Sequence, residues 1–96
     1  DDVLKGTLQL MEAPAAQIKV RTSYNLASIS FTPEELANEI KKHLPDFSIS
    51  YKPDFRQAIA DSWPDSIDDS AARADWGWQP DFDLAKMTTE MLLPYL

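Results

Sequence analysis

The spacing of hydrophobic residues predicts three helices outside the middle of the chain. The first covers residues 1–12 and precedes Pro14. Its stripe at helical spacing consists of Val3, Leu4, Thr7, Leu8 and Met11. Another begins at Asp68 or Asp69 and runs to about Trp76, where Gly77 ends it. The last begins after Asp83, and its stripe consists of Leu84, Met87, Met91, Leu92 and Tyr95.

The clearest helix start in the sequence is at Thr32. Thr32 is the predicted N-cap, Pro33 takes the first helical position, and Glu35 completes a capping box. Phe31 is then placed to pack on Leu36 as a hydrophobic staple. This helix is expected to stop before Pro45.

Two segments have the composition of strands. Tyr24–Ala27 is the centre of a stretch rich in β-forming residues. Phe47, Ile49 and Tyr51 alternate with serines at period two. With the Thr32 helix between them, these segments predict a parallel strand pair with a right-handed crossover. The predicted fold class is therefore α/β, a small parallel strand pair with about four helices, and residues 53–67 show no clean period.

Composition narrows the classes of function. The 96 residues suit one domain, and the net charge of −7 disfavours nucleic acids and anionic membranes as partners. No apolar run approaches the ~20 residues that cross a bilayer. Cysteine is absent, which removes disulfides and thiolate sites and favours an intracellular protein. We expect the cytoplasm, or the mitochondrial matrix if the source is eukaryotic.

The usual catalytic signatures are missing. The two glycines, Gly6 and Gly77, lie 71 positions apart, so they cannot form a phosphate-cradling loop. The single histidine, His43, cannot build a multi-histidine metal site, and a solvated role near a helix end suits it better. Ser62 has no neighbouring histidine to activate it. An acidic cluster lacks the spacing of a calcium loop, and capping explains part of it: Asp61, Asp65, Asp68 and Asp69. We therefore predict no metal site.

The three tryptophans differ in their surroundings. Trp76 and Trp78 flank Gly77 at a predicted helix end, where core packing is the simplest role. Trp63 lies between Ser62 and Pro64 in the irregular stretch. It is either a packing residue or a residue that lines a cavity, because functional side chains gather on loops.

The order of motifs resembles the C-terminal portion of the extended short-chain dehydrogenases/reductases. That resemblance rests on the following segments: Asp1 to Gly6, Tyr24-Asn25, Glu35 to Ala37, Asp54 to Arg56, Asp68 to Ser70 and Gly77 to Pro80. Within that superfamily the chain is most similar to the NAD-dependent L-threonine 3-dehydrogenases. The nine-residue run from Arg56 to Pro64 is the most specific carrier of that similarity.

The resemblance implies that residues 1–96 form the C-terminal, substrate-binding lobe of a Rossmann-type enzyme. It implies that NAD is bound by an N-terminal domain, which also holds the catalytic Tyr and Lys. This chain lacks that domain. No catalytic or cofactor-binding residue is carried onto this chain, which is expected to be inactive alone. The implied partners are L-threonine, the parent's own N-terminal domain and, in a homodimer, a second copy. Arg56, Asp61 and Trp63 are the candidate residues near the substrate cavity.

Two alternatives remain open at this stage. One is the C-terminal lobe of a nucleotide-sugar epimerase or dehydratase, in which Arg56 would hold a substrate pyrophosphate. The other is a stand-alone acidic interaction module, which should not expose a large apolar patch. If the chain is a lobe of a larger enzyme, the face made by Val3, Leu4, Leu8 and Met11 should be poorly covered.

Overall fold

The computed structural model describes all 96 residues, from Asp1 to Leu96. It contains five α-helices, which are α1 Asp2–Glu12, α2 Pro33–Lys41, α3 Phe55–Asp61, α4 Ser70–Trp76 and α5 Leu84–Met87. A 3₁₀ turn, Ala15–Gln17, follows α1. α5 continues directly into a π-helical turn, Thr88–Leu92, and a 3₁₀ turn, Leu93–Tyr95. None of these helices is both long enough and apolar enough to cross a membrane.

The chain divides into two compact units. Unit 1 comprises Asp1–Ser28 and Ser66–Asp83, and therefore holds α1 and α4. Unit 2 comprises Ile29–Asp65 and Leu84–Leu96, and therefore holds α2, α3 and α5. Within unit 2, α2 packs against α5.

The core of unit 1 is aromatic. α4 ends at Gly77, which adopts the left-handed conformation with φ 76°. Trp76 and Trp78 flank this glycine in the sequence, and both are buried. Trp76 is 9% exposed and Trp78 is 1% exposed. The rings of Tyr24 and Trp76 pack edge to face, with 5.8 Å between their centroids and 88° between their planes. The predicted roles of Gly77 and of the two tryptophans are confirmed.

α1 buries the side opposite to its apolar stripe. Gly6 is buried, and Leu10 and Ala13 pack on the tryptophan core. The stripe residues Val3, Leu4, Leu8 and Met11 are 59–77% exposed. The prediction that this face is poorly covered is confirmed, and Leu10, which lies off the stripe, is the residue that the core uses.

The predicted parallel strand pair is wrong, because the chain contains no strand. The segment around Tyr24–Ala27 has no ladder partner, and side chains bind its backbone instead. The N–H of Ala27 donates to Asp69 Oδ2 at 3.2 Å, and its carbonyl accepts from Trp78 Nε1 at 3.0 Å. The segment with Phe47, Ile49 and Tyr51 belongs to the other unit. The α/β class therefore does not describe this chain by itself, which is helical.

The predicted start of α2 is confirmed. Thr32 Oγ1 accepts from the N–H of Glu35 at 3.2 Å, and Glu35 Oε2 accepts from the N–H of Thr32 at 2.7 Å. Pro33 occupies the first turn of the helix. An N–H at that position has no acceptor within the helix, so the missing N–H of proline costs no hydrogen bond. The contact between Phe31 and Leu36 stays a prediction.

The stretch predicted to be irregular contains α3. Asp54 is its N-cap and accepts from the N–H of Arg56 through Oδ1 at 2.9 Å. The helix has only two turns, and Phe55 and Ile59 on one side of it are both exposed. A helix that is so short and so exposed leaves no clear hydrophobic period in the sequence. The N-capping Asp54 is nevertheless a recognisable signal for the start of a helix.

Candidate functional site

A groove of about 560 Å³ with a mixed polar and apolar lining lies within unit 2. The start of α2 forms one part of its lining and α3 another. Its lining residues are Ser30, Phe31, Thr32, Pro33, Glu35, Gln57, Ala60, Asp61 and Asp65. The charged members are all acidic, so the groove favours cationic or neutral polar groups over anions.

Asp61 is the one predicted site residue that faces this groove. It is the last residue of α3, and one of its carboxylate oxygens accepts from Gln57 Nε2 at 2.7 Å. Gln57 and Asp61 are four residues apart, so they lie on the same side of the helix. Both side chains line the groove, where the Asp61 carboxylate can accept a hydrogen bond from a ligand.

Arg56 does not line the groove. Its guanidinium instead binds the carboxylate of Asp54 through two nitrogens. Nη2 lies 2.6 Å from Oδ2, and Nε lies 3.1 Å from each of the two carboxylate oxygens. This side-chain contact lowers the pKa of Asp54 below its ordinary value and raises that of Arg56. Arg56 therefore pairs with Asp54, whereas Asp61 pairs with Gln57.

Trp63 is 68% exposed and therefore is not a core residue of this chain. Its backbone N–H donates to the carbonyl of Ala60 at 3.0 Å, so the chain makes one further turn after α3. At 100° per residue, Trp63 falls on the same side of this helical segment as Phe55 and Ile59. Arg56 borders that side, and Asp61 lies away from it.

The three candidate residues are thus divided between the groove and its surroundings. Asp61 lines the groove, whereas Arg56 and the exposed Trp63, which follows α3, do not. A ligand in the groove would contact Asp61 without touching the other two. The sequence could not show this division, because α3 was not predicted.

The remaining polar candidates have structural partners. Asp68 accepts from the N–H of Ser70 at 2.9 Å, and Asp69 accepts from Arg73 Nε at 2.8 Å. The Ser62 hydroxyl donates to the carbonyl of Ile59 at 2.6 Å. His43 is exposed, and no three acidic or histidine side chains gather to hold a metal ion.

The groove residues at the start of α2 carry no motif that marks them as site residues. Thr32 and Glu35 were predicted only as a cap, yet both also line the groove beside Asp61. The spacing of Gln57 and Asp61 would have suggested a shared helix face if residues 55–61 had been recognised as helical.

The fold of the chain is that of the C-terminal part of GalE-like dehydrogenases. It superposes on a GalE-like L-threonine dehydrogenase from Cupriavidus necator with a TM-score of 0.89 and 52% identity, covering 99% of this chain and 34% of that one. An L-threonine dehydrogenase from Phytophthora infestans gives a TM-score of 0.87 at 53% identity, over 97% of this chain and 30% of that one. No family model matches the chain.

The curated relatives include L-threonine 3-dehydrogenases and uncharacterized epimerase/dehydratases. The mitochondrial L-threonine 3-dehydrogenase of Bos taurus is 57% identical over 93 residues, which is 96% of this chain and 25% of that protein. An uncharacterized epimerase/dehydratase of Staphylococcus haemolyticus is 50% identical over the same share of this chain and 29% of its own length. The chain thus corresponds to a C-terminal portion of L-threonine 3-dehydrogenases and spans a quarter to a third of the proteins it matches. The resemblance found in the sequence is confirmed.

Proposed function

We propose that this chain is the substrate-side lobe of an NAD-dependent L-threonine 3-dehydrogenase, which oxidises L-threonine to 2-amino-3-ketobutyrate. The observation that carries the proposal is the similarity to named L-threonine 3-dehydrogenases over 96% of this chain, at 57% identity. In such an enzyme the lobe works together with the rest of a longer protein, in the cytoplasm or the mitochondrial matrix. The 96 residues alone are then inactive.

The residues of this chain do not suit a dinucleotide site. Gly6 lies inside α1, where a Cβ would come within 2.6 Å of Leu26 Cδ1, and Gly77 ends α4. Neither glycine opens a loop whose backbone could approach a pyrophosphate. We therefore assign the phosphate-cradling glycine loop for NAD to a region outside this chain.

Exposure of apolar faces supports a lobe over a stand-alone module. In unit 1 the stripe of α1 is exposed, and in unit 2 the side chains of Phe55, Ile59 and Trp63 are 52–78% exposed. A self-sufficient soluble domain rarely leaves several large apolar side chains together on its surface. In the proposed enzyme we assign Trp63 and Arg56 to the face that covers the substrate, and Asp61 to the groove beside it.

A nucleotide-sugar epimerase or dehydratase is the second candidate, favoured by the name of the Staphylococcus haemolyticus relative. That function would use Arg56 for a substrate pyrophosphate. Arg56 is exposed and pairs with Asp54 in a surface contact of 2.6 Å, so the substrate assay decides between the two functions.

The test uses the longer enzyme that contains this chain. We expect threonine-dependent formation of NADH, followed by absorbance, and no turnover of UDP-sugars. Trp63→Ala should lower kcat/KM for threonine at least tenfold, a larger loss than any accompanying fall in thermal stability, if the ring covers the substrate and excludes water. A loss of stability of about 3–5 kcal/mol with normal kinetics of the folded enzyme would show that Trp63 is a core residue. Turnover of a UDP-sugar without threonine turnover would replace the proposed function with the second candidate.

A further inference from the structure

An apolar pocket of about 280 Å³ lies in unit 2, at the end of α2. Its walls come from the last turn of α2, the segment that follows it and the C-terminal turns after α5. The lining residues, none of which is charged, are Ile40, Leu44, Phe47, Met91, Leu92, Leu93, Tyr95 and Leu96. The groove that contains Asp61 lies at the start of α2, so the two depressions are separated by the 9 residues of that helix, or about 13 Å.

The C-terminal wall of the pocket has an irregular helical geometry. Thr88 is fully buried, and its hydroxyl donates to the carbonyl of Leu84 at 2.9 Å. The hydroxyl of Thr89 donates to the carbonyl of Ala85 at 3.1 Å. Such bonds compete with the backbone hydrogen bonds of a helix and often bend it. α5 gives way here to the π-helical turn Thr88–Leu92, a rare geometry that is frequently found at functional sites.

This irregular turn brings consecutive side chains to one side of the chain. Three successive residues of an α-helix spread over about 200° of its circumference, so they do not share one face. Here Met91, Leu92 and Leu93 all line the pocket. The π-helical turn and the 3₁₀ turn after it therefore build the pocket wall in a way that a regular helix would not.

We propose that this pocket is a binding site for a neutral, mainly apolar small molecule about the size of two fused aromatic rings. An apolar cavity of ~150 Å³ accommodates one benzene ring, and this pocket measures about 280 Å³. No lining side chain carries a charge, although the chain has a net charge of −7, so the pocket disfavours an ionised ligand.

The size of the pocket favours a small molecule over a partner helix. One helical turn, about 10 Å wide and about 5.4 Å long, already exceeds the volume of the pocket. The site is separate from the groove that contains Asp61, and the proposal does not depend on the proposed function.

The experiment is a ligand-observed NMR titration of the longer enzyme with indole as the neutral probe. We expect saturable binding with a dissociation constant below about 1 mM. Indole-3-carboxylate, which adds a negative charge to the same rings, should bind roughly tenfold more weakly or worse, because nothing in the pocket replaces the hydration of its carboxylate. Absence of saturable binding would show that another part of the enzyme or a second copy covers the pocket, and would overturn the proposal.

Two matched variants locate the binding. Leu44→Glu places a carboxylate in the lining and should weaken indole binding roughly tenfold or more. Ile49→Glu is the control, because Ile49 belongs to the same unit and is 41% exposed against 40% for Leu44, yet does not line the pocket. An equal loss in both variants, or equal affinity for the two probes, would contradict the proposal. Circular dichroism checks folding, and Met91→Trp, which fills the pocket from a half-exposed position, replaces Leu44→Glu if that variant does not fold.

Discussion

Trp78 is the largest fully buried side chain of unit 1. Its side chain is 1% exposed and its ring lies 6.3 Å from that of Trp76. Its indole N–H donates to the carbonyl of Ala27 at 3.0 Å. Trp78→Phe keeps an aromatic ring but removes the donor and part of the volume.

The cost of Trp78→Phe has two parts. Loss of roughly 40 Å³ of buried volume costs about 1 kcal/mol at ~24 cal/mol per Å³. Loss of the hydrogen bond costs about 1 kcal/mol more, because the carbonyl of Ala27 is left without its partner in a partly buried place. The expected total of about 2 kcal/mol is a large share of the 5–15 kcal/mol typical of a domain, yet it leaves the protein folded.

Urea unfolding, followed by far-UV circular dichroism, measures this loss. Trp63→Phe is the control, because the same substitution at a side chain that is 68% exposed should change the free energy of unfolding by at most about 0.5 kcal/mol. If the two variants lose equal stability, Trp78 does not carry the core of unit 1 and the packing argument fails.

Three further perturbations test other parts of the structure. Gly6→Ala should destabilise the protein by about 1 kcal/mol, because the added Cβ would lie 2.6 Å from Leu26 and 3.0 Å from Trp78. This overpacking outweighs the better helix propensity of alanine, and a rise in melting temperature would contradict the prediction. Thr32→Ala should cost about 1 kcal/mol and Thr32→Ser should restore it, and equal stability of both variants would refute the capping role. Burial raises the pKa of Asp2, but four other contacts outweigh it and lower the pKa below 3.8: hydrogen bonds from Asp81, Phe82 and Ser28 and the charge of Lys5. The ionised carboxylate therefore stabilises the folded chain above about pH 4, and this stability is lost as the pH falls further. Asp2→Asn should reduce that acid-side loss in a pH series of urea unfolding, and an unchanged slope would show that other carboxylates account for it.

Local signals in the sequence were sufficient for helix ends. The capping box at Thr32 and Glu35 and the left-handed Gly77 involve only residues within a few positions of each other. Their geometry depends on backbone groups of the same turn, so no distant part of the chain has to be known. The same holds for the similarity to L-threonine 3-dehydrogenases, which short motifs carry.

The candidate site was predicted only in part. Arg56, Asp61 and Trp63 were singled out by their residue types and by the family resemblance, and all three belong to α3 or its last turn. Their division between the groove and its surroundings depends on a helix of seven residues, whose period is too short to detect. The pairing of Arg56 with Asp54 across two positions could not be distinguished from pairing with Asp61, because both acids lie within reach along the sequence.

Tertiary structure decided which faces are buried. The apolar stripe of α1 is a correct helical pattern, yet the tryptophan core packs on Gly6, Leu10 and Ala13 instead. Glycine at that position leaves room for its neighbours, since a Cβ there would lie 2.6 Å from Leu26 and 3.0 Å from the ring of Trp78. Likewise, Tyr24–Ala27 has the composition of a strand, but a strand also needs a neighbouring ladder, and here Asp69 and Trp78 take the hydrogen bonds of Ala27. Periodicity reports where a side chain could be buried, whereas the partner that buries it is set by residues far away in the sequence.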